Sequence, residues 1–173
     1  MRRRDVIIGL AGLATVGGAA YTFGASDATG VEPVEIETVA APGSTAGTAL
    51  VPERGRVSVV EFFATWCTVC AASMPALRTV HEGLAADVQF VSVTNEPLGH
   101  AITRQDVTDW WTEHDGTWLV GLDDDLALTE RLDATGVPTL FVLDAENRVT
   151  YSHVGEPDAE EVLQQVRAAG ATS

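Results

Sequence analysis

The sequence predicts an α/β fold, because segments typical of strands alternate with segments typical of helices through most of the chain. Residues 57–63 are mostly β-branched or aromatic, which is typical of a buried strand. The apolar residues that follow recur three or four positions apart, as on one face of a helix: Met74, Leu77, Val80 and Leu84. Hydrophobic residues make up 46% of the 173 residues, which is enough for the core of one domain of ordinary size.

The remaining elements follow from the same two patterns. We predict strands at residues 88–93 and 118–122, a hairpin of strands at 139–143 and 149–154, and helices at 104–114, 125–132 and 157–169. In the first of these helices, Trp110 and Trp111 share one face with Val107, so we expect both tryptophans to face the core. Pro75 lies inside the helix that follows the first strand, where we expect it to produce a kink.

The N-terminus has the pattern of an export signal. Arg3 and Arg4 precede residues 6–26, which contain no charged side chain. Paired arginines before an uncharged, largely apolar stretch are typical of a twin-arginine signal. The stretch is about long enough to cross a bilayer. We therefore predict that residues 1–26 either anchor the chain in the membrane, with the arginines inside, or are cleaved after export.

The segment between this signal and the first predicted strand has a different composition. Residues 27–56 are rich in Gly, Pro, Ser, Thr and Glu and show no sustained periodicity. We therefore predict a flexible linker, in which only the alternation of Val34, Glu35 and Ile36 favours a short edge strand. The folded domain is then expected at residues 57–173.

The charge of the chain excludes one broad class of partner. There are 10 basic and 25 acidic residues, the net charge is -15, and the pI is near 4.4. Because so little positive charge is available to neutralise phosphates, we do not expect nucleic acid as a partner. All ten cations are arginine, and the acidic residues are spread along the chain. This pattern is typical of the acidic, halophilic-type surfaces of proteins from salt-loving microbes.

Cys67 and Cys70 are the only cysteines in the chain, and two residues separate them. Directly after a strand, this spacing places both sulfur atoms in the first turn of the next helix, within reach of a disulfide. The N-terminus of a helix stabilises a thiolate. We therefore predict that Cys67, the more exposed of the two, is the nucleophile, and that Cys70 resolves the mixed disulfide.

Other uses of a cysteine pair have to be weighed against this one. A structural disulfide with so short a loop would constrain the unfolded chain little. A zinc or copper site needs three or four ligands, and the four histidines are scattered: His81, His100, His114 and His153. The run Asp123-Asp124-Asp125 lacks the glycine and distal glutamate of a calcium loop, so we expect Asp124 or Asp125 to cap a helix. We predict no metal site.

Three motifs resemble the thioredoxin-like superfamily, and within it the extracytoplasmic TlpA/ResA/CcmG-like thiol-disulfide oxidoreductases. They are the segment Val59-Val60-Glu61-Phe62-Phe63-Ala64-Thr65-Trp66-Cys67-Thr68-Val69-Cys70, Pro75 in the following helix, and Gly136-Val137-Pro138-Thr139 before a later strand. The resemblance covers residues 57–169. It implies the thioredoxin fold, a central mixed sheet flanked by helices on both faces, with an inserted helix between residues 93 and 122.

The resemblance also implies a role for an acidic residue in the first strand. Glu61, six residues before Cys67, matches the position of a buried acid behind the second cysteine. Such a carboxyl group would have a raised pKa and would relay the proton of Cys70. The alternative is that Glu61 points outward or pairs with an arginine.

Further residues are implied to contact the substrate. Pro138 matches a cis-proline that lies across from the two sulfur atoms, and the backbone of Val137 would pair with an extended substrate segment. The alternative for Pro138 is a trans proline that begins a strand. Trp66 would shield the cysteine pair and offer an apolar contact surface, although a packing tryptophan would give the same sequence.

These observations predict a membrane-tethered or secreted enzyme that exchanges disulfides with protein thiols. We expect no cofactor, because the sequence has no flavin or nicotinamide motif, so electrons would come from a partner such as a membrane dithiol donor. The family likeness suggests clients such as apocytochrome c during cytochrome c maturation. The alternatives are a metal-binding chaperone on a thioredoxin-like scaffold and, less favoured because no Thr-x-x-Cys motif is present, a thiol peroxidase.

Overall fold

A computed structural model of the protein describes residues 30–99 and 102–171. The elements in this part of the chain are β1 Val34–Thr38, β2 Gly47–Val51, β3 Ser58–Phe63, α1 Thr68–Gly83, β4 Gln89–Thr94, α2 Arg104–Glu113, β5 Leu119–Leu122, α3 Ala127–Leu132, β6 Thr139–Leu143, β7 Val149–Val154 and α4 Ala159–Ala168. The predicted signal, residues 1–26, lies outside it. None of the described helices has both the length and the apolar character needed to span a bilayer.

The strands form one mixed sheet in the order β2-β1-β5-β4-β3-β6-β7. Strands β3, β4 and β5 run parallel to one another, whereas β6 pairs antiparallel with β3 and β7 antiparallel with β6. The register of the central pair places Phe63 opposite Thr94. The carboxyl ends of β3 and β4 therefore meet at the same edge of the sheet, where the cysteine pair follows.

Helices cover both faces of the sheet, as predicted. Val59 and Phe63 of β3 pack in one cluster with buried residues of α1, α2 and α4. Val60 and Phe62 pack in a second cluster with residues of α3. Successive side chains of a strand point to opposite faces, so every position of β3 is buried. This burial fixes the point at which the chain leaves the sheet towards the cysteines.

The inserted helix packs its tryptophans into the core, which confirms that prediction. Trp110 and Trp111 on α2 are only 8% and 0% exposed. The ring of Trp110 stacks on Phe63, with centroids 4.8 Å apart. These contacts attach α2 to the end of β3 that leads into the cysteine pair.

The interpretation of residues 27–56 as a flexible linker is wrong for the part that forms β1 and β2. Val34 and Ile36 alternate as predicted, but β1 lies between β2 and β5 and is not an edge strand. Ile36 is only 2% exposed. Strand β2 is the edge, and its side chains are mostly exposed, so it shows no apolar periodicity. It forms through backbone pairing with β1, which a hydrophobicity pattern does not reveal.

The cap of α3 also differs from the sequence expectation of Asp124 or Asp125. Within the described part of the chain, the Asp125 side chain accepts a hydrogen bond only from the Ala127 N–H, at 3.1 Å. The buried Asp123 carboxylate instead accepts the N–H groups of Leu128 and Thr129, at 3.0 and 2.7 Å, and the Thr129 hydroxyl at 2.6 Å. Asp123 is therefore the main cap of α3, because its buried carboxylate oxygens lie below the N-terminus of that helix.

We expect Ile36→Ala to destabilise the domain by about 2 to 5 kcal/mol, because it empties a buried site in a strand of the sheet. The matched control is Glu35→Ala, which changes an exposed residue of the same strand and should alter the free energy of unfolding by less than about 0.5 kcal/mol. Urea unfolding measures both variants. Equal, small effects would mean that β1 does not belong to the cooperative unit.

Candidate active site

The site is built around a disulfide between Cys67 and Cys70 at the junction of β3 and α1. Their Cα atoms lie 5.2 Å apart. Cys67 is the residue that caps α1, and Cys70 lies in its first turn. Cys67 is 6% exposed and Cys70 1% exposed, so Cys67 is the more accessible of the two residues.

A backbone N–H group at the start of α1 faces the sulfur atom of Cys67. The Cys70 N–H donates to Cys67 Sγ at 3.0 Å. The N–H of Cys67 itself donates to the carbonyl oxygen of Ala64, at 3.1 Å, which holds the turn before the helix. A thiolate at Cys67 would retain the donor from Cys70 and would lie at the positive end of the helix dipole. This arrangement stabilises the anion that disulfide exchange requires.

Apolar side chains beside the disulfide are exposed to solvent. Trp66 is 71% exposed and Val69 is 45% exposed. A large aromatic side chain that serves only packing would be buried, so the exposure of Trp66 favours a contact surface over a packing role.

The loop before β6 approaches the same region. The Val137–Pro138 peptide bond is cis, as the resemblance implied, and Val137 packs against the cluster that contains both cysteines. The Gly155 N–H donates to the Pro138 carbonyl oxygen at 3.0 Å. The Thr139 hydroxyl donates to the carbonyl oxygen of Gly136 at 2.7 Å. These bonds attach the loop to β7 and give it a defined shape.

Glu61 lies on the face of the sheet that the cysteines occupy. It alternates with Val59 and Phe63, which pack in the cluster with Cys67 and Cys70, so its side chain points to the same side. Glu61 is only 2% exposed. Among the described residues its Oε2 atom has no hydrogen-bond partner, and Glu61 forms no ion pair there. The outward-facing alternative therefore does not hold.

Burial raises the pKa of Glu61 to about 7, because the ionised carboxylate loses its hydration. A hydrogen bond from the Ser92 hydroxyl lowers the pKa and offsets part of this effect. Ser92 is the direct neighbour of Glu61 on β4. The Trp118 indole N–H donates to Ser92 Oγ at 2.9 Å. Since Ser92 accepts from Trp118, its own proton is free to point towards Glu61.

A second buried carboxyl group, which the sequence analysis missed, contacts the turn before the disulfide. Glu96 Oε2 accepts the Thr65 backbone N–H at 2.7 Å, and Glu96 Oε1 accepts the Thr65 hydroxyl at 2.9 Å. Glu96 is 5% exposed. It follows β4 by two residues, so the parallel pairing of β3 and β4 could have indicated its position.

The histidines that the structure describes do not gather around the cysteines to form a metal site. Within residues 30–99 and 102–171, no group of three or more His, Cys, Asp or Glu side chains is arranged to hold a metal ion. His81 instead contacts the rings of Phe90 and Trp118, and the ring of His114 contacts Trp110. A metal chaperone would therefore need ligands from a partner or from the rest of the chain.

The fold and the disulfide at the start of α1 define a thiol-disulfide oxidoreductase of the thioredoxin type. The chain belongs to the Redoxin family, which it matches over residues 27–169. This match includes β1 and β2 and agrees with their place in the sheet. No curated protein matches the chain at a significant level.

Solved structures of bacterial proteins share this fold. The chain is similar to a thiol:disulfide interchange protein of the thioredoxin family from Chlorobium tepidum, with a TM-score of 0.66, 22% identity, and 84% of this chain and 99% of that chain covered. It is similar to StoA from Bacillus subtilis, with a TM-score of 0.65, 18% identity, and coverage of 78% and 96%. A secreted Mycobacterium tuberculosis disulfide oxidoreductase homologous to E. coli DsbE gives a TM-score of 0.63, 17% identity, and coverage of 78% and 95%. At these identities the likeness establishes the fold.

The raised pKa of Glu61 predicts that the folded protein loses stability as pH rises. The pKa is 4.5 in an ordinary environment and about 7 in the folded protein. Between these values the folded state binds more protons than the unfolded state, so the free energy of unfolding falls by about 3 kcal/mol across this window. The contribution of Glu61 to the free energy of unfolding is complete at pH values below its ordinary pKa of 4.5, and it is lost above its folded-state pKa of about 7.

Glu61→Gln is neutral at every pH and should not show this loss. Urea unfolding of the disulfide-bonded protein at a series of pH values measures the difference between the two proteins. We expect the variant to become the more stable protein above neutral pH. The same pH dependence in both proteins would contradict the raised pKa.

Proposed function

We propose that the protein is an extracytoplasmic oxidoreductase that exchanges disulfides with client proteins through Cys67 and Cys70. One observation carries the proposal: the disulfide lies at the N-terminus of α1, where the Cys70 N–H faces Cys67 Sγ and the exposed side chain of Trp66 adjoins the pair. A purely structural disulfide would gain nothing from this donor or from an exposed tryptophan beside it.

In the direction of client reduction, the Cys67 thiolate attacks one sulfur atom of a client disulfide. The client's S–S bond breaks, its second sulfur leaves as a thiolate, and a mixed disulfide joins Cys67 to the client. Cys70 then loses its proton and attacks Cys67 Sγ. This step forms the Cys67–Cys70 disulfide and releases the client's first sulfur as a thiolate. The client gains two electrons and the protein loses two.

Glu61 is proposed to accept the proton of Cys70 during resolution. Its carboxyl group is buried on the cysteine face of the sheet, and its Oε2 atom has no partner in the described part of the chain. Its pKa of about 7 places ionised and neutral forms in comparable amounts near neutral pH. A group with this balance both accepts and returns a proton readily.

Trp66, Val137 and Pro138 are proposed to contact the client. Trp66 offers an exposed apolar surface next to Cys67, and Val137 packs against the cluster of the cysteines. The backbone of Val137 would pair with an extended client segment as a short added strand. Pro138 would shape the surface opposite the sulfur atoms.

We further propose that residues 1–26 direct the protein out of the cytoplasm and either tether it to the membrane or are removed. The paired Arg3 and Arg4 before an uncharged stretch support this location. So does the fold shared with a secreted disulfide oxidoreductase. A membrane dithiol carrier would then supply electrons. The family resemblance makes apocytochrome c a reasonable client to assay first.

Serine substitutions test the roles of the two cysteines. Cys70→Ser should accumulate a covalent complex with an oxidised client, because attack by Cys67 occurs and resolution does not. Cys67→Ser should form no such complex and should lose turnover of the client. Non-reducing electrophoresis and a client reduction assay measure these outcomes. Full turnover of the client by Cys67→Ser would refute the proposal.

A titration with copper(I) tests the alternative function. Tight one-to-one uptake of copper(I), together with a failure to exchange disulfides, would favour a metal chaperone instead.

Glu61→Gln should slow resolution of the mixed disulfide more than its formation, because the variant cannot accept the proton of Cys70. We expect a loss of about 10²-fold or more in the resolution rate. Rapid-quench kinetics with an oxidised peptide separate the two steps. Glu82→Gln, which removes an exposed carboxylate at the far end of α1, is the control and should change neither rate. Unchanged rates for both steps in Glu61→Gln would remove Glu61 from the mechanism.

A further inference from the structure

Glu96 connects the ends of two neighbouring parallel strands next to the disulfide. Besides its two bonds from Thr65, its Oε2 atom accepts the hydroxyl of Thr94, the last residue of β4, at 3.1 Å. The Thr94 hydroxyl in turn accepts the Glu96 backbone N–H at 3.3 Å. Three donors therefore converge on two carboxylate oxygens at a site that is almost closed to solvent.

The residue that Glu96 holds belongs to the turn that carries the reactive sulfur. Thr65 lies between β3 and α1, directly before Trp66 and two residues before Cys67. Consecutive Cα atoms are about 3.8 Å apart, so the Cα atoms of Thr65 and Cys67 lie within about 8 Å of each other. A change in the position of Thr65 is therefore transmitted to Trp66 and Cys67.

The charge of Glu96 is not balanced by a cation in the described part of the chain. All its contacts there are neutral donors, and none of the ion pairs in that part involves it. The Thr65 N–H can only donate, and both threonine hydroxyls are placed to donate as well, which is the arrangement that favours an ionised carboxylate. A buried negative charge that is hydrogen-bonded to a residue two positions before Cys67 disfavours a second negative charge on the Cys67 sulfur.

We propose that Glu96 is a positioning residue for disulfide exchange, which fixes the turn carrying Trp66 and Cys67 and opposes the thiolate of Cys67 through its charge. The proposal rests on the proposed function, in which Cys67 is the attacking thiol. The Cys70 N–H and the dipole of α1 stabilise the thiolate, and Glu96 limits that stabilisation. Because a less stable thiolate makes the dithiol a better reductant, Glu96 shifts the couple towards client reduction.

Other titratable groups also pack on this face of the sheet and are held constant in the test. They are Glu61 on β3, His81 on α1, His114 at the end of α2, and Tyr151 and His153 on β7. None of them hydrogen-bonds to the Thr65 turn in the described part of the chain, whereas Glu96 does. Substitution of Glu96 therefore changes the titratable group that is hydrogen-bonded to this turn.

The direct test is the titration of Cys67 in a Cys70→Ala background, where it is the only thiol in the chain. The ultraviolet absorbance of the thiolate, followed against pH, gives its midpoint. We expect Glu96→Gln to lower this midpoint by about one pH unit, because one buried charge is removed. Glu82→Gln removes one exposed charge at the other end of α1 and should leave the midpoint unchanged. An equal midpoint in the parent and in Glu96→Gln would overturn the proposal.

A second variant should shift the Cys67 midpoint in the opposite direction. Thr65→Val keeps the Glu96 charge but removes one hydroxyl whose dipole partly screens it, so the Cys67 midpoint should rise. A fall in this variant would also overturn the proposal, and the test holds even if Glu96→Gln does not fold. Glu96→Asp keeps the charge with a shorter side chain, so its midpoint should stay closer to that of the parent than the midpoint of Glu96→Gln.

Equilibration with glutathione gives a second readout in the protein with both cysteines. Two glutathione molecules reduce the Cys67–Cys70 disulfide to the dithiol and become one glutathione disulfide. In alkaline buffer, Glu96→Gln should raise this equilibrium constant about tenfold. This change corresponds to a reduction potential that is about 30 mV higher, so the couple becomes more oxidising. If the midpoint moves as expected but the rate of attack on a client does not follow it, the proposed role of Cys67 fails. If the midpoint does not move while Cys67→Ser abolishes exchange, only the inference about Glu96 fails.

Discussion

The position of one sulfur atom at the start of a helix determines what the rest of the structure can do. Cys67 Sγ faces the Cys70 N–H because α1 begins directly after the turn that leaves β3. Every residue of β3 is buried, with α1 on one side of the sheet and α3 on the other, so this strand cannot shift without disturbing both clusters. The hydrophobic core thus holds the sulfur where backbone dipoles stabilise an anion.

Two buried carboxyl groups lie near this arrangement in different surroundings. Glu61 lies on the cysteine face without a partner for Oε2 in the described part of the chain, and burial raises its pKa into the neutral range. Glu96 lies beyond the end of β4, where two donors from Thr65 hold it against the turn before Cys67 and the Thr94 hydroxyl attaches it to the strand. Under the proposed mechanism, Glu61 moves a proton for Cys70, whereas Glu96 orients the turn and limits the stability of the Cys67 thiolate.

The sequence predicted the elements whose apolar pattern faces the core and missed those that depend on pairing or on contacts distant in sequence. The strand at β3, the tryptophan face of α2 and the hairpin of β6 and β7 follow local periodicity, so they were predictable. Strand β2 pairs through its backbone with β1 and has mostly exposed side chains, so its pattern resembled a linker.

Asp123 and Glu96 were missed because their roles come from burial under a helix end or beside a turn, which composition does not encode. The position of Glu61 was available only from the family resemblance, and the structure added Ser92 as its neighbour across the strand pair.

The reduction potential of the Cys67–Cys70 couple tests most directly whether this disulfide is a reversible reagent. Equilibration of the protein with glutathione buffers, followed by alkylation of free thiols and mass spectrometry, gives the value. A disulfide that exchanges reversibly should have a potential between about -120 and -270 mV, the range of thioredoxin-fold proteins that exchange disulfides. A potential below about -300 mV, as in disulfides that resist reduction by glutathione, would identify a structural bond and contradict a role in disulfide exchange.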